Sequence, residues 1–247
     1  MSLANKVLAC KGLSPDGPLF HVRHNICFGV KFHAGTEDDL PTPPMEMWDK
    51  QYLRLPYPLT VLEFTVAGKN WLLAMSQQPD QENIDCAVLS DLHGSWGYAC
   101  SFEITPNGVG RSGGWQHHGF IADGNDDAKR ILMGGCANAV LAFLLALKCS
   151  NVRQKVISPS KLKTKIAVDS GRWPPFEYRV LEIKPGRACK KPNNGGTTHA
   201  SPRLHWRRGH IRRLPSGDLT WVQPCMVGDK EAGEIKKDYR VKKRAAC

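Results

Sequence analysis

At 247 residues, with 41% hydrophobic and 23% charged side chains, the chain is long enough to bury a core as one large or two small domains, and its composition excludes a disordered polymer. Its net charge of +11 is local: residues 1–150 hold 11 Lys/Arg against 15 Asp/Glu, whereas residues 151–247 hold 23 against 8. Such a one-sided distribution suits a module that docks on phosphates or on an acidic protein surface, and equally a solvated basic face.

The first 50 residues are poorly periodic, with turn signals at Ser14-Pro-Asp-Gly17 and a proline-rich stretch at 40–44, and are expected to wrap the core as irregular structure. Leu59-Thr-Val-Leu-Glu-Phe-Thr-Val66 and the run 71–75, separated by Ala67-Gly-Lys-Asn70, predict a β-hairpin. Its proline-framed approach from Leu53 and its single charged residue, Glu63, fit either a partner groove at a sheet edge or the strand that opens the core sheet. Further strands are expected at 85–90 and 97–105, before a glycine-rich interval at 107–114.

The strongest helix signal covers 125–148. It has an acidic start at Asp126 and Asp127, apolar residues recurring through Leu147, and Lys148 where it complements the helix dipole. Gly134 and Gly135 weaken its first half, each by about 1 kcal/mol against alanine. Its apolar run, 137–147, is about half of the roughly 20 residues a membrane span needs, so a buried core helix is expected.

A lysine-rich connection with a Ser158-Pro-Ser160 turn is expected over 152–171, then a strand over 176–183 with Phe176, Tyr178, Val180 and Glu182 on one face. A loop is expected over 184–201. Runs at 209–214 and 220–227 flank Pro215-Ser-Gly-Asp218 and predict a second hairpin, with a further basic stretch at 236–244. The expected fold is therefore α+β. A small antiparallel sheet and one buried helix occupy 1–150, and a basic β-rich part occupies 151–247, as two units or as one continuous domain.

Nine cysteines, an odd number without a Cys-x-x-Cys pair, argue against a disulfide framework and a zinc ribbon. His93, His117 and His118, with Cys100 or Cys136, match no compact zinc spacing, so no metal and no cofactor is expected. Walker and dinucleotide glycine patterns and the Gly-x-Ser-x-Gly elbow are absent, which sets aside common nucleotide and acyl chemistry. With no signal-peptide pattern at the N-terminus and no membrane span, a cytoplasmic location is expected.

The densest chemistry lies between Arg203 and Arg213, where five arginines, two histidines and Trp206 share eleven residues. Guanidinium groups form bidentate contacts with phosphate, and an indole beside them offers a stacking surface for an unpaired base. Arg203, His205, Trp206, Arg207, Arg208, His210, Arg212 and Arg213 are thus the candidate nucleic-acid-binding residues. If the arm is extended, His210 and Arg212 share one side and Ile211 and Arg213 the other.

The same residues admit two other roles. In a purely structural one, Trp206 and Ile211 are buried and the arginines pair with carboxylates such as Glu177 and Glu182. In an enzymatic one, His205 and His210 act as the acid/base pair of a metal-independent ribonuclease. Nothing in their spacing requires catalysis.

Three blocks carry a family likeness: Arg54-Leu-Pro-Tyr-Pro with Leu62-Glu-Phe64, then Pro174-Pro-Phe-Glu-Tyr-Arg-Val-Leu-Glu-Ile183, then Pro202-Arg-Leu-His-Trp-Arg-Arg-Gly-His-Ile-Arg-Arg213 followed by Trp221-Val-Gln-Pro and Val227-Gly228. The set resembles a family of phage- and plasmid-encoded proteins similar to the large type V-A anti-CRISPR protein that lowers expression of the CRISPR effector nuclease. The resemblance implies a mobile-element protein of the bacterial host cytoplasm that recognises a protein segment and acts on its mRNA during translation. Partners so implied are RNA or a ribosome-associated complex together with a protein target.

By that resemblance Trp206, Arg207, Arg208, Gly209, His210 and Arg212 correspond to the family segment, and Glu177 and Tyr178 to the strand before it. No catalytic assignment comes with them. The expected function is an accessory, anti-defence protein that binds RNA or a translating complex through the basic segment and down-regulates a target gene product. The alternatives are a protein-binding inhibitor of an acidic host protein and the small ribonuclease.

Overall fold

The computed structural model describes residues 3–8, 20–36, 51–66, 68–91, 96–110, 126–172, 174–184, 203–207, 209–223 and 225–234. Several expectations fall outside them: the turn at 14–17, the proline stretch at 40–44, His93, His117 and His118, the interval beyond 110, the loop beyond 184 and the basic run at 236–244.

The helices are α1 (Leu3–Val7), α2 (Phe20–Phe28), α3 (Asp126–Lys148) and α4 (Lys161–Asp169). The main sheet is built from β1 (Val30–Thr36), β2 (Leu59–Val66), β3 (Lys69–Ser76), β4 (Ile84–Ser90), β5 (Gly97–Thr105), β6 (Gly108–Gly110), β7 (Val152–Ile157) and β8 (Tyr178–Ile183). Its order is β6-β5-β4-β3-β2-β1-β8-β7, taking strands from both sides of Ser150. The fold is α+β, as the sequence predicts.

The expected hairpin forms in register from Leu59↔Ser76 to Val66↔Lys69, and β4 and β5 extend it antiparallel. Period-2 alternation then assigns the faces. Leu62 and Phe64 of β2, Leu73 and Met75 of β3, and Ile84, Cys86 and Val88 of β4 meet α3. Val61, Leu72, Ala74, Ala87 and Leu89 meet α1 and α2. Covered on both faces, the central strands read as nearly continuous apolar runs, such as 71–75.

Helix α3 occupies the expected span, and every residue from Val140 to Ala146 is buried. The Phe143 ring meets Phe32 of β1 edge-on, with centroids 4.8 Å apart. Gly134 and Gly135 do not interrupt the helix, whose burial over the following turns outweighs their low propensity.

The sheet exceeds the small one anticipated because β1, β7 and β8 join it. Residues 20–36, expected to be irregular, instead form α2 and β1, and β1 is parallel to both of its neighbours, β2 and β8. The expected connection over 152–171 holds β7 and α4. Ser160 is the N-cap of α4, its Oγ accepting from the Lys163 N–H at 3.3 Å, so a motif read as a turn is also a helix start.

Two smaller β units complete the fold. One is the hairpin β10 (His210–Arg213) and β11 (Leu219–Val222); the other is a three-stranded sheet of β9 (Arg203–Arg207), β12 (Cys225–Val227) and β13 (Asp229–Glu234), ordered β12-β9-β13. Phe143→Ala, which empties the centre of the α3 face, is expected to cost about 3–5 kcal/mol in urea denaturation. Leu162→Ala, at a position 68% exposed on α4, should change stability by less than about 0.5 kcal/mol.

Candidate functional site

The basic segment is anchored before it is charged. Hairpin β10–β11 pairs His210↔Val222, Ile211↔Trp221, Arg212↔Thr220 and Arg213↔Leu219, closed by a turn in which Gly217 takes φ +91°, a conformation that favours glycine. Ile211, Leu219 and Trp221 are buried in the α3 core cluster. Asn151, just after α3, clamps the hairpin: its Oδ1 accepts from the Trp221 N–H at 2.9 Å and its Nδ2 donates to the Trp221 carbonyl at 2.8 Å. The Ser150 N–H donates to the Leu219 carbonyl at 2.9 Å.

On that anchor the predicted alternation holds for the backbone of β10. Ile211 turns into the core, and Arg213, on its side, donates from Nη2 to the Tyr52 hydroxyl at 2.6 Å. Arg212 is exposed and His210 half-buried. Arg207, at the end of β9, is exposed and donates from Nη2 to His210 Nε2 at 3.3 Å. A guanidinium can only donate, so a hydrogen bond there takes Nε2 as its acceptor.

His205 is half-buried on β9, opposite Val227 of β12. Arg203 and Trp206 are placed by their backbone in the same strand, pairing with Asp229 of β13 and Met226 of β12, and Arg208 lies outside the described residues. The carboxylates proposed to neutralise the arginines bond elsewhere: Glu182 accepts from Lys155 at 2.6 Å and Glu177 from Ser158 at 3.0 Å.

Sequence reasoning missed a second place where chemistry concentrates. Because β1 lies between β2 and β8, Lys31 and His33 stand beside Val61 and Glu63 on one side and Tyr178 and Val180 on the other. These residues share the α1 face of the sheet at its β8 end, where α4 stands across a cleft of about 610 Å³. Glu63 lies at the bottom, 3% exposed, with Oε1 accepting from the Ala4 N–H at 2.8 Å and Oε2 3.8 Å from His33 Nδ1. Burial pushes the Glu63 carboxyl up, opposed by the Ala4 N–H, His33, the Leu3 N–H and Lys31 in that order.

Tyr178 and Phe176 line the cleft from the β8 side; Lys163 and Arg172, both exposed, stand at its rim. The His33 ring is edge-on to Tyr178, with centroids 6.3 Å apart. Lys31, buried beneath, donates to the carbonyls of Gly29 at 2.7 Å and Cys27 at 3.2 Å, and its ammonium lies 3.9 Å from the centre of the Phe176 ring. Gly29 is required there, since a Cβ would come within 2.5 Å of the Asn25 carbonyl oxygen. The partner groove considered beside Glu63 is thus not at a β2 edge, because β2 is an interior strand.

The three sequence blocks that carry a family likeness now fall on β2 with its approach, on β8, and on β9–β10. A family model, AcrVA2-like, of the anti-CRISPR type V subtype A2 family matches residues 30–229, a span containing all three. The chain belongs to the anti-CRISPR type V subtype A2 family. No curated protein and no solved structure matches it. Membership supports the anti-defence role of a phage or plasmid protein. Among the described residues no helix is long and apolar enough to cross a membrane.

For this anti-CRISPR family member, Asn151→Ala leaves both main-chain groups of Trp221 without their partner and is expected to cost roughly 1–3 kcal/mol in denaturant unfolding. Lys31 gives a pH signature. Burial lowers its pKa from the ordinary 10.5 to about 8, against the opposing pull of Cys27 and Glu63. Between those values the unfolded chain holds the proton and the folded chain does not, so Lys31 adds stability as pH rises from about 8 to 10.5. Subtracting the stability–pH curve of Lys31→Met from that of the parent should leave this rise, and a flat difference refutes it.

Proposed function

We propose that this anti-CRISPR family member binds RNA, as free message or within a translating complex, through the β9–β10 segment, and thereby lowers the amount of a target gene product in the host cytoplasm. The observation that carries the reading is the division of labour within one short hairpin. Ile211, Leu219 and Trp221 are buried against the α3 core while Arg212 is exposed, with Arg207 exposed beside His210. Charges held on an anchored arm lose little conformational freedom on meeting a polyanion.

The local excess of 23 Lys/Arg over 8 Asp/Glu after Ser150 supports the same partner. Phosphate contacts supply affinity without sequence information, so a basic arm alone selects no message. Selection falls to a protein target recognised alongside the RNA, in keeping with an anti-defence protein aimed at one gene product.

Replacing Arg207 and Arg212 together by alanine should leave thermal stability within about 1 kcal/mol, because both are exposed. Affinity for single-stranded RNA should fall, and the slope of log K against log salt should shrink by about 0.7 for each phosphate that is no longer neutralised. If the parent chain gives no mobility shift with RNA, and saturating RNA leaves capture of a protein partner untouched, the basic face serves an acidic protein instead. Incubation with labelled RNA in EDTA tests the ribonuclease role of His205 and His210, which predicts cleavage that alanine at either position abolishes.

A further inference from the structure

The cleft between α4 and the β1–β8 strands is separate from the β9–β10 segment, and its lining has a composition of its own. Around Glu63 and His33 stand the rings of Tyr178 and Phe176 and the aliphatic side chains of Ile157 and Ile166, while Lys163 and Arg172 stand at the rim. A volume of about 610 Å³ lies within the range of small-ligand sites, and a mostly apolar interior with a few convergent polar groups is their usual composition.

We propose that this cleft holds one unstacked RNA nucleotide, with its base against Tyr178 and Phe176 and its phosphate on Lys163 and Arg172. The inference rests on the RNA-binding reading above and adds to it a second point of contact with the same strand.

Charge and shape choose this occupant. Lys163 and Arg172, both exposed, give the mouth of the cleft two cations, while the carboxylate that lines it, Glu63, lies buried at the bottom. A strand of phosphates follows such a surface, and sequence-tolerant RNA binding adds to it aromatic rings on which bases stack. Phe176 is held in place for that task by the buried Lys31 ammonium at its ring.

His33 is the polar group able to read the base. Its side chain is 40% exposed, and its Nδ1 lies 3.8 Å from Glu63. Glu63 is itself held by the Ala4 N–H, which makes it a positioning residue for the imidazole rather than a contact to the ligand. An acidic polypeptide segment would also meet the rim cations, yet it has no general use for two aromatic rings behind them; the test therefore separates the two.

The experiment uses the full chain and a ten-nucleotide single-stranded RNA carrying 4-thiouridine, irradiated and mapped by mass spectrometry. The expected crosslinks fall on residues 157–184 as well as on 203–213. In parallel, anisotropy titrations compare the parent with Tyr178→Ala and with the rim pair Lys163→Ala/Arg172→Ala, whose exposed positions keep the second variant folded. Tyr178→Ala should weaken binding roughly tenfold, the scale of removing one base–aromatic stack. The rim pair should weaken it and flatten its salt dependence.

Crosslinks confined to 203–213, with both variants binding RNA as the parent does, overturn the cleft assignment and leave the basic-segment reading standing. No RNA binding by the parent removes that reading and this one together. Unchanged RNA affinity in both variants, with capture of a polypeptide target abolished, overturns the proposal and gives the cleft to protein.

Discussion

Helix α3 is buried without a break from Val140 to Ala146, and most of the architecture follows from that. Nearly two turns of helix with no solvent-facing position require cover on every side, and one sheet face covers only a stripe. The sheet supplies the Phe32, Leu62 and Leu73 side; Ile211, Leu219 and Trp221 of the β10–β11 hairpin join the same cluster. The most basic segment of the chain is therefore fixed to the structure by the most apolar one. A hairpin of eight strand residues is marginal alone in water, and here it is stable because it completes a core it did not begin.

Strand β1 imposes the second constraint. It is parallel to both neighbours, and parallel pairing needs long connections, so its partners come from residues 59–66 and 178–183. That pairing closes the sheet between its two sequence halves. It also sets Lys31 and His33 beside Glu63, three ionisable groups on one face of two adjacent strands. Burying them has an electrostatic cost, visible in the lowered Lys31 and raised Glu63 pKa values, offset by the Gly29 and Cys27 carbonyls and the Ala4 N–H.

What was legible in the sequence was what local physics decides. The β2–β3 hairpin, β4, β5, β8, α3 and the β10–β11 turn each carry their own period or turn chemistry, and each forms where that signal lies. Strand β1 carries no such signal, because Val30-Lys-Phe-His-Ala-Gly-Thr36 becomes a strand only through partners far along the chain. Its one legible clue is alternation, with Phe32 turned to α3 between Lys31 and His33. Strand β7 hid likewise behind exposed charge at Arg153 and Lys155. The basic segment was visible as composition, but the cleft was not, since its residues come from α1, β1, β2, β7, α4 and β8 and no stretch of sequence holds two of its polar groups except α4 with its flank.

The two sites have different physical characters, and this bears on how one small protein acts selectively. The β9–β10 arm presents guanidinium groups whose attraction for phosphate is long-ranged, salt-sensitive and indifferent to sequence. The cleft is partly aromatic and floored by a buried carboxylate beside a histidine, a lining suited to discrimination by shape and hydrogen bonding at short range. On the proposed reading, one strand held through both at once gains affinity through effective concentration, without demanding that either contact be tight. On that reading, rigid spacing between the two is what carries selectivity. The α3–sheet core supplies it, since β7 beside the cleft and β11 of the hairpin bearing the arm both pack against that helix.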